Sequence, residues 1–335
     1  MTDPSVAWRF CVAPMMDWTD RHCRVFHRQL SRCARLYTEM LTTGAVLHGD
    51  LERLLGFDPI EQPVALQLGG SEPDELARAA RIGERFGYAE INLNCGCPSE
   101  RVQRGAFGAC LMAEPARVAD CVKAMCDTVA VPVTVKHRIG LGRDASYEPV
   151  RDFVGACRDA GSSVFIVHAR NAWLDGLSPK ENRQVPPLRY DVVRRLKADF
   201  PDVRIVLNGG LTSVEQALRE SIGLDGAMLG RAAYHEPALL AQVDAAFHGC
   251  MQPAPTRDAV VERMIDYAAR QRSFGVPLRS ITRHMLGLYH GLPGARAWRR
   301  TLSDARLLEG ADERLLARAL AQARAAQSGL SSTVA

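Results

Sequence analysis

Between residue 9 and about residue 245, short runs of apolar and β-branched residues alternate with segments that have helical periodicity. There are eight such runs, and the predicted strands cover 9–15, 36–40, 63–69, 88–94, 132–138, 163–169, 204–208 and 226–230. Several are continuously apolar, as at 164–167, which is typical of parallel strands buried on both faces. Eight strands separated by helices predict an α/β fold, a TIM (β/α)8 barrel, with a doubly wound sheet as the alternative.

The strand pattern stops after Pro253-Ala254-Pro255, and only helical periodicity follows. The predicted helices cover about 257–273, 279–290, 295–305 and 312–326. We therefore expect two domains, a catalytic barrel over 1–250 and an all-helical domain over 256–330.

The formal net charge of +4 is unevenly distributed along the 335 residues. Residues 255–335 contain thirteen Arg, no Lys and seven acidic residues, a net charge of +6, so the preceding residues carry −2. A basic helical domain is typical of a protein that binds a polyanion, and a solvated helical surface is the alternative interpretation.

Ten cysteines are scattered along the chain without a C-x-x-C pair, which favours reduced thiols over a disulfide framework, a metal site or an iron–sulfur cluster. No apolar run is long enough to span a bilayer, and residues 1–9 do not have the pattern of a signal peptide. We expect a cytoplasmic monomer with no membrane association, no bound metal and no obligate protein partner.

Polar residues or glycines stand at all eight predicted strand ends, where TIM-barrel enzymes place their chemistry. Asn208-Gly209-Gly210 and Gly230-Arg231 follow the seventh and eighth strands, and this is the commonest phosphate site of the fold. Together with Gln67 and Lys136 at other strand ends, they indicate a bound flavin mononucleotide (FMN). Ordinary turn glycines and a surface lysine remain the alternatives.

The segment 92–98, Asn-Leu-Asn-Cys-Gly-Cys-Pro, places a cysteine on a tight turn directly after a strand. A thiol held on such a turn is offered to a substrate above the sheet, whereas the alternative is a buried structural cysteine. Cys95 and Cys97 lie two positions apart and would point the same way in an extended segment, but the Gly-Pro turn favours Cys97 as the accessible thiol.

Several motifs resemble the tRNA-dihydrouridine synthase family. They are Ala13-Pro14-Met15-Met16, Tyr37-Thr38-Glu39-Met40, Gln67-Leu68-Gly69-Gly70, the turn at 92–99, Lys136-His137-Arg138, His168-Ala169-Arg170 and Asn208-Gly209-Gly210. The runs at 176–183, 283–287 and 293–300 are similar to the A subfamily, which modifies uridines 20 and 20a of the tRNA D-loop.

This resemblance implies an FMN enzyme that NADPH reduces and that acts on tRNA. The implied flavin contacts are Pro14, Met15, Met16, Gln67, Lys136, His168, Asn208, Gly209, Gly210, Gly230 and Arg231. The implied contacts with uracil or the rest of the tRNA are Asn94, Arg138, Lys180, Arg183, Arg296, Arg299 and Arg300.

Cys97 is the implied catalytic residue, because it occupies the family's Gly-Cys-Pro step. Hydride transfer from flavin N5 to uracil C6 leaves charge that protonation at C5 must quench. An ordinary cysteine thiol, with a pKa of about 8.5, is largely protonated at neutral pH and can serve as this acid. Cys95 and His137 depart from the family pattern, and the sequence gives no physical account of His137. A flavin barrel oxidoreductase acting on a free pyrimidine or another small molecule is the alternative function.

Overall fold

The computed structural model describes residues 6–331, which form two compact units. The first unit consists of the described residues up to Asp17 together with Ala34–Gly230. The second consists of Trp18–Cys33 together with the described residues from Arg231 onward. This division differs from the predicted boundary near residue 250, since 18–33 and 231–250 belong with the helical unit.

Eight parallel strands form a single sheet in the first unit, in the order in which they occur along the chain. They are β1 Phe10–Val12, β2 Leu36–Thr42, β3 Val64–Gly69, β4 Glu90–Cys95, β5 Val133–Arg138, β6 Val164–His168, β7 Arg204–Asn208 and β8 Gly226–Leu229. β1 pairs with β8, and a parallel bridge between Cys11 and Arg35 links its other edge to the chain entering β2. The predicted (β/α)8 barrel is confirmed.

The side chains inside the barrel follow from the two-residue period of a strand. Alternate residues point inward, where they form a buried cluster comprising Trp8, Cys11, Ala13, Tyr37, Ala65, Val164, Ile166, Val206 and Met228. The barrel is therefore filled by side chains and leaves only its ends for chemistry.

The α-helices, numbered in chain order, are α1 Arg21–Leu30, α2 Thr43–His48, α3 Leu51–Leu55, α4 Pro73–Arg85, α5 Glu100–Arg104, α6 Pro115–Cys126, α7 Glu148–Asp159, α8 Tyr190–Asp199, α9 Val214–Glu220, α10 Arg231–His235, α11 Val243–His248, α12 Arg257–Ser273, α13 Leu278–Thr282, α14 Ala295–Ser303, α15 Ala305–Leu308 and α16 Arg314–Ser331. Proline stands in the first turn of α4, α6 and α7, where its missing N–H costs no hydrogen bond. Gly83 allows α4 to pack closely, since a Cβ there would lie 2.5 Å from Leu66 Cδ2.

The second unit contains α1 and α10–α16. The Asp20 carboxylate caps α1 and lies 3.0 Å from His284 Nε2, and His22 Nδ1 lies 2.7 Å from the Tyr267 hydroxyl. Asp244 in α11 accepts hydrogen bonds from the backbone N–H groups of residues 32 and 33. These contacts explain why α1 groups with the C-terminal helices although it lies between two strands in sequence.

The helix predicted over 279–290 is mostly absent, because α13 ends at Thr282 and turns follow. A Cβ on Gly287 would overlap the carbonyl oxygen of His235, so the backbone packs too closely there for any larger residue. Trp298 is fully buried and donates from Nε1 to the carbonyl oxygen of Met285 at 2.9 Å, which fixes the turns against α14. None of the helices in residues 6–331 is long and apolar enough to cross a membrane.

Candidate active site

The carboxyl ends of β5, β6 and β7 bring three predicted flavin contacts together. In the strand register His168 pairs with Arg138 on one side and Asn208 on the other. Lys136 Nζ donates to Asn208 Oδ1 at 3.1 Å, and Asn208 Nδ2 donates to the carbonyl oxygen of Met228 at 2.8 Å. The Asn208 amide is thereby oriented, with its oxygen towards the lysine.

These strand ends concentrate positive charge in a buried place. Desolvation by burial, followed by the charge of Arg138, lowers the pKa of Lys136 to about 7. Burial, and then the charges of Arg138 and Lys136, lower the pKa of His168 well below its ordinary value. The same two effects, burial and then the charge of Arg183, lower the pKa of Arg138 to about 10. Mutual repulsion of this kind favours binding of an anionic group.

Two consecutive glycines form the turn after β7. Gly209 and Gly210 have φ angles of 113° and 71°, which favour glycine. A Cβ on Gly209 would lie 2.6 Å from His168 Cδ2, so the imidazole packs directly on this backbone. The Tyr190 hydroxyl donates to the carbonyl oxygen of Gly209 at 2.6 Å and holds the turn in place.

Five further predicted flavin contacts lie at the ends of β8 and β1. Gly230 directly follows β8, and a Cβ on it would make only ordinary contacts with Ala13 and Met15. Arg231 begins α10 and belongs to the second unit. Pro14 and Met15 are half-buried, whereas Met16 is exposed to 56% and offers an apolar surface to a ring.

Cys97 stands on the turn after β4 and is half-buried. Asn94 Oδ1 accepts hydrogen bonds from the backbone N–H groups of Gly96 and Cys97, each at 3.0 Å, which forms a side-chain-capped turn. The carbonyl oxygen of Cys97 accepts from the N–H of Ala109 at 2.9 Å. The Sγ of Cys97 lies 3.6 Å from Ser99 Oγ. The backbone on both sides of the thiol is thus fixed while the thiol stays partly accessible.

Cys95 does not belong to this site. It is the last residue of β4 and is completely buried. Burial, followed by the effect of other cysteine thiols, raises the pKa of Cys95 well above its ordinary value. Alternation along β4 places Cys95 on the face opposite to Asn92 and Asn94, and the chain leaves the strand before Cys97, so the two cysteines do not point the same way.

His137 also faces away from the site. It lies between the rings of Phe153 and Phe165, at centroid distances of 5.1 and 5.9 Å. Its Nδ1 lies 2.7 Å from the carbonyl oxygen of Arg138, so this nitrogen carries the proton, and its buried Nε2 has no hydrogen-bond partner among the described residues. Burial lowers the pKa of His137 to about 4, so the ring is a neutral part of the core.

Gln67 and Asn94 are buried, although both were predicted to contact a ligand. Gln67 is exposed to only 1% and donates from Nε2 to Asn92 Oδ1 at 2.7 Å. Asn94 Nδ2 donates to Gln67 Oε1 at 2.9 Å. Asn92 and Thr134, to which this network extends, were missed at the level of sequence, although the Asn-x-Asn spacing on one strand face was a usable signal.

Arg138 is exposed to only 2%, and this burial does not favour its predicted contact with tRNA. Its guanidinium donates to the carbonyl oxygens of Gly96, Asn171 and Asn182, at 3.1, 3.4 and 3.0 Å. It therefore ties the Cys97 turn to the loop after β6. In that loop Lys180 and Arg183 are exposed, at the two ends of a short 3-10 turn.

The three arginines of α14 are exposed, and the structure gives no ion pair for them within residues 6–331. They are Arg296, Arg299 and Arg300. By contrast, Arg324 in α16 is held by Asp258 and Glu262, both at 2.7 Å. The α14 arginines therefore carry positive charge that no acidic side chain within residues 6–331 pairs with.

The chain is similar to known proteins over most of its length. The family model described as dihydrouridine synthase (Dus) matches residues 11–325. The chain is 56% identical over 311 residues, 93% of this chain and 92% of the relative, to a tRNA-dihydrouridine(20/20a) synthase of Xanthomonas campestris pv. campestris. Proteins of the same name from Pseudomonas aeruginosa and Synechocystis sp. are 58% and 55% identical over 88% and 92% of this chain, and over 89% and 92% of their own lengths.

Proposed function

The chain belongs to the dihydrouridine synthase family, and from that premise we propose that it reduces the C5–C6 double bond of uridines 20 and 20a in the D-loop of tRNA, with FMN as cofactor and NADPH as reductant. The observation that carries the proposal is the juxtaposition, at one end of the barrel, of a buried basic cluster and the turn bearing Cys97. Arg138 links the two, since its guanidinium binds the carbonyl oxygen of Gly96.

The residues present fit a flavin with a phosphate. Gly209 and Gly210 supply a backbone that can approach an anion, and Lys136 and His168 lie beside them with pKa values lowered by burial and neighbouring charge. When bound, the flavin would supply the hydride to C6 of uracil. Lys136 would regain its proton beside the anionic cofactor, because an opposite charge favours the ammonium form.

Cys97 would then donate its Sγ proton to C5, and the bond broken is S–H while the bond formed is C–H. The turn holds the thiol for this transfer through two N–H bonds to Asn94 and one carbonyl bond to Ala109. Asn94 keeps one amide hydrogen that Gln67 does not use, and this hydrogen can donate to a uracil carbonyl.

A uridine must leave its stack before it can be reduced, at a cost of about a few kcal/mol. Binding of the surrounding tRNA must offset this cost. Lys180 and Arg183 on the barrel and the three arginines of α14 are exposed and suited to phosphate contacts. Within residues 6–331 the exposed arginines of α14 have no ion pair, which favours this tRNA substrate over a free pyrimidine.

The proposal is tested by mapping dihydrouridine by mass spectrometry in tRNA from a strain that lacks this protein. We expect loss at positions 20 and 20a alone, restored by the wild-type chain and not by Cys97→Ala. Retention of dihydrouridine at both positions would refute the tRNA assignment. Restoration by Cys97→Ala would refute the role of the thiol while leaving the substrate assignment intact.

A further inference from the structure

A continuous chain of buried hydrogen bonds runs through the barrel interior to the Cys97 turn. We call it the amide relay, and it consists of the side chains of Glu90, Thr134, Asn92, Gln67 and Asn94. The first three are completely buried, and the last two are exposed to 1% and 9%. None of these residues except Gln67 and Asn94 has a place in the proposed reaction.

The relay starts at a buried carboxylate. Glu90, the first residue of β4, accepts from Arg35 Nη1 at 2.9 Å, from Trp8 Nε1 at 2.7 Å and from the Tyr37 hydroxyl at 2.8 Å. Burial and then the Glu90 charge raise the pKa of Tyr37 well above its ordinary value, so its hydroxyl keeps its proton. Because Arg35 is always charged, the buried Glu90 is its anionic partner and can only accept hydrogen bonds.

An acceptor at this end fixes the direction of every later bond. Thr134 must donate its one hydroxyl proton to Glu90 Oε1, at 2.5 Å, so its oxygen accepts from Asn92 Nδ2 at 2.7 Å. Asn92 Oδ1 is then left to accept from Gln67 Nε2, at 2.7 Å, and Gln67 Oε1 to accept from Asn94 Nδ2, at 2.9 Å. Rotating any one amide would set two donors or two acceptors against each other.

The other end of the relay imposes the same direction. Asn94 Oδ1 accepts from the backbone N–H groups of Gly96 and Cys97, which can only donate. The relay thus runs from an acceptor-only group to donor-only groups, and both ends agree. Such a network has one arrangement rather than two, because each side chain is committed by the one before it.

We propose that Thr134 and Asn92 are positioning residues, which act through the amide relay to hold the Asn94 amide in one orientation and so fix the turn that carries Cys97. In that orientation Asn94 can offer a substrate only an N–H donor, since its oxygen already accepts two bonds. The uracil carbonyls are acceptors, whereas the C4 substituent of cytosine is a donor. A contact of this donor at the C4 position would therefore favour uridine over cytidine. The catalytic part of this inference rests on the proposed function; the structural part does not.

Thr134→Val is the test, because valine has the same shape and strand preference but no hydroxyl. It leaves the ion pair of Glu90 and Arg35 in place, whereas substituting either of those residues would bury an unpaired charge. Thr134→Ser is the matched control, since it retains the hydroxyl. Thr134→Ala removes the hydroxyl without adding any atom and makes the same prediction if the valine variant does not fold.

The first measurement is hydrogen exchange of individual backbone amides by NMR on the full chain. We expect the N–H groups of Gly96 and Cys97 to exchange about five- to tenfold faster in Thr134→Val than in the wild type, with Thr134→Ser restoring slow exchange. The N–H of Leu207 in β7 serves as an internal reference and should not change. Unchanged exchange at Gly96 and Cys97 in both hydroxyl-free variants would overturn the proposal, whatever reaction the protein catalyses.

The second measurement is turnover of tRNA. Thr134→Val should lower kcat about tenfold and leave KM for tRNA within about twofold, because the exposed arginines bind tRNA and the relay does not. Thr134→Ser should restore kcat. An unchanged kcat accompanied by faster exchange would overturn the catalytic part alone. If the wild type produces no dihydrouridine, the proposed function fails and the exchange result still decides whether the relay holds the turn.

Discussion

The partial burial of Lys136 predicts that FMN affinity decreases as the pH rises. The ammonium lies near Arg138 and donates to Asn208 Oδ1 at 3.1 Å, and burial followed by the charge of Arg138 lowers its pKa to about 7. An anionic cofactor favours the charged lysine, so its pKa in the complex is higher than without FMN. Above pH 7 the protein must then take up a proton as FMN binds, and binding weakens as the pH rises.

The magnitude follows from that pKa. If the lysine is fully protonated in the complex, the dissociation constant of FMN rises about eightfold between pH 7.5 and 8.5. Over this range the FMN phosphate is already doubly ionised, since its second pKa is about 6, so the cofactor itself contributes no proton. The pKa of His168 is lowered well below its ordinary value, so this residue stays neutral throughout.

Titration of flavin fluorescence against apoprotein, at four pH values between 7 and 9, measures this dependence. Lys136→Met removes the charge and retains most of the side-chain length. Its FMN dissociation constant should be larger than that of the wild type at pH 7 and should change less than about twofold across the range. Equal pH dependence in the wild type and Lys136→Met would refute the reasoning, and so would an affinity that increases with pH in the wild type.

Two further variants test other parts of the proposed site. Gly209→Ala places a Cβ 2.6 Å from His168 Cδ2 at a φ of 113°. We therefore expect FMN binding to be at least about tenfold weaker in a fluorescence titration, and the free energy of unfolding to be lower by about 1–3 kcal/mol in urea denaturation. Wild-type affinity would contradict the proposed FMN site at the Gly209-Gly210 turn. Replacing the three α14 arginines, Arg296, Arg299 and Arg300, with Gln should raise KM for tRNA. It should also make KM less dependent on salt, so that the slope of log KM against log salt concentration becomes smaller by about two. Arg324→Gln is the control for that triple variant, since its guanidinium is already paired with Asp258 and Glu262, and an equal effect of the control would refute a specific role for α14.

The barrel and the positions of the strand ends were predictable because each depends on a short-range pattern. Alternating apolar strands and helices identify the parallel sheet, and parallel strands bring their carboxyl ends together, so Lys136, His168 and Asn208 were found without the structure. The two-residue period also places Asn92, Asn94 and Thr134 inside the barrel. It does not reveal that the Asn92 side chain bonds to Thr134, because that depends on the register between β4 and β5.

Other features depend on contacts between distant parts of the chain. The placement of α1 with the C-terminal helices rests on pairs such as Asp20 with His284, which no local pattern encodes. The helix predicted over 279–290 has suitable periodicity, yet the close approach of Gly287 to the carbonyl of His235 replaces most of it with turns. The burial of Cys95 was not predicted, because the predicted strand over 88–94 stops one residue before it, whereas β4 continues through Cys95.

The central claim is that the barrel end offers Cys97, and not Cys95, as the proton donor to uridine. The direct measurement is the single-turnover rate of dihydrouridine formation at positions 20 and 20a, with FMN-loaded, NADPH-reduced enzyme and tRNA that lacks dihydrouridine. We expect Cys97→Ala to be at least about 100-fold slower than the wild type, the usual contribution of a general acid, and Cys95→Ala to stay within about twofold. A Cys97→Ala variant that keeps more than half of the wild-type rate would contradict the account.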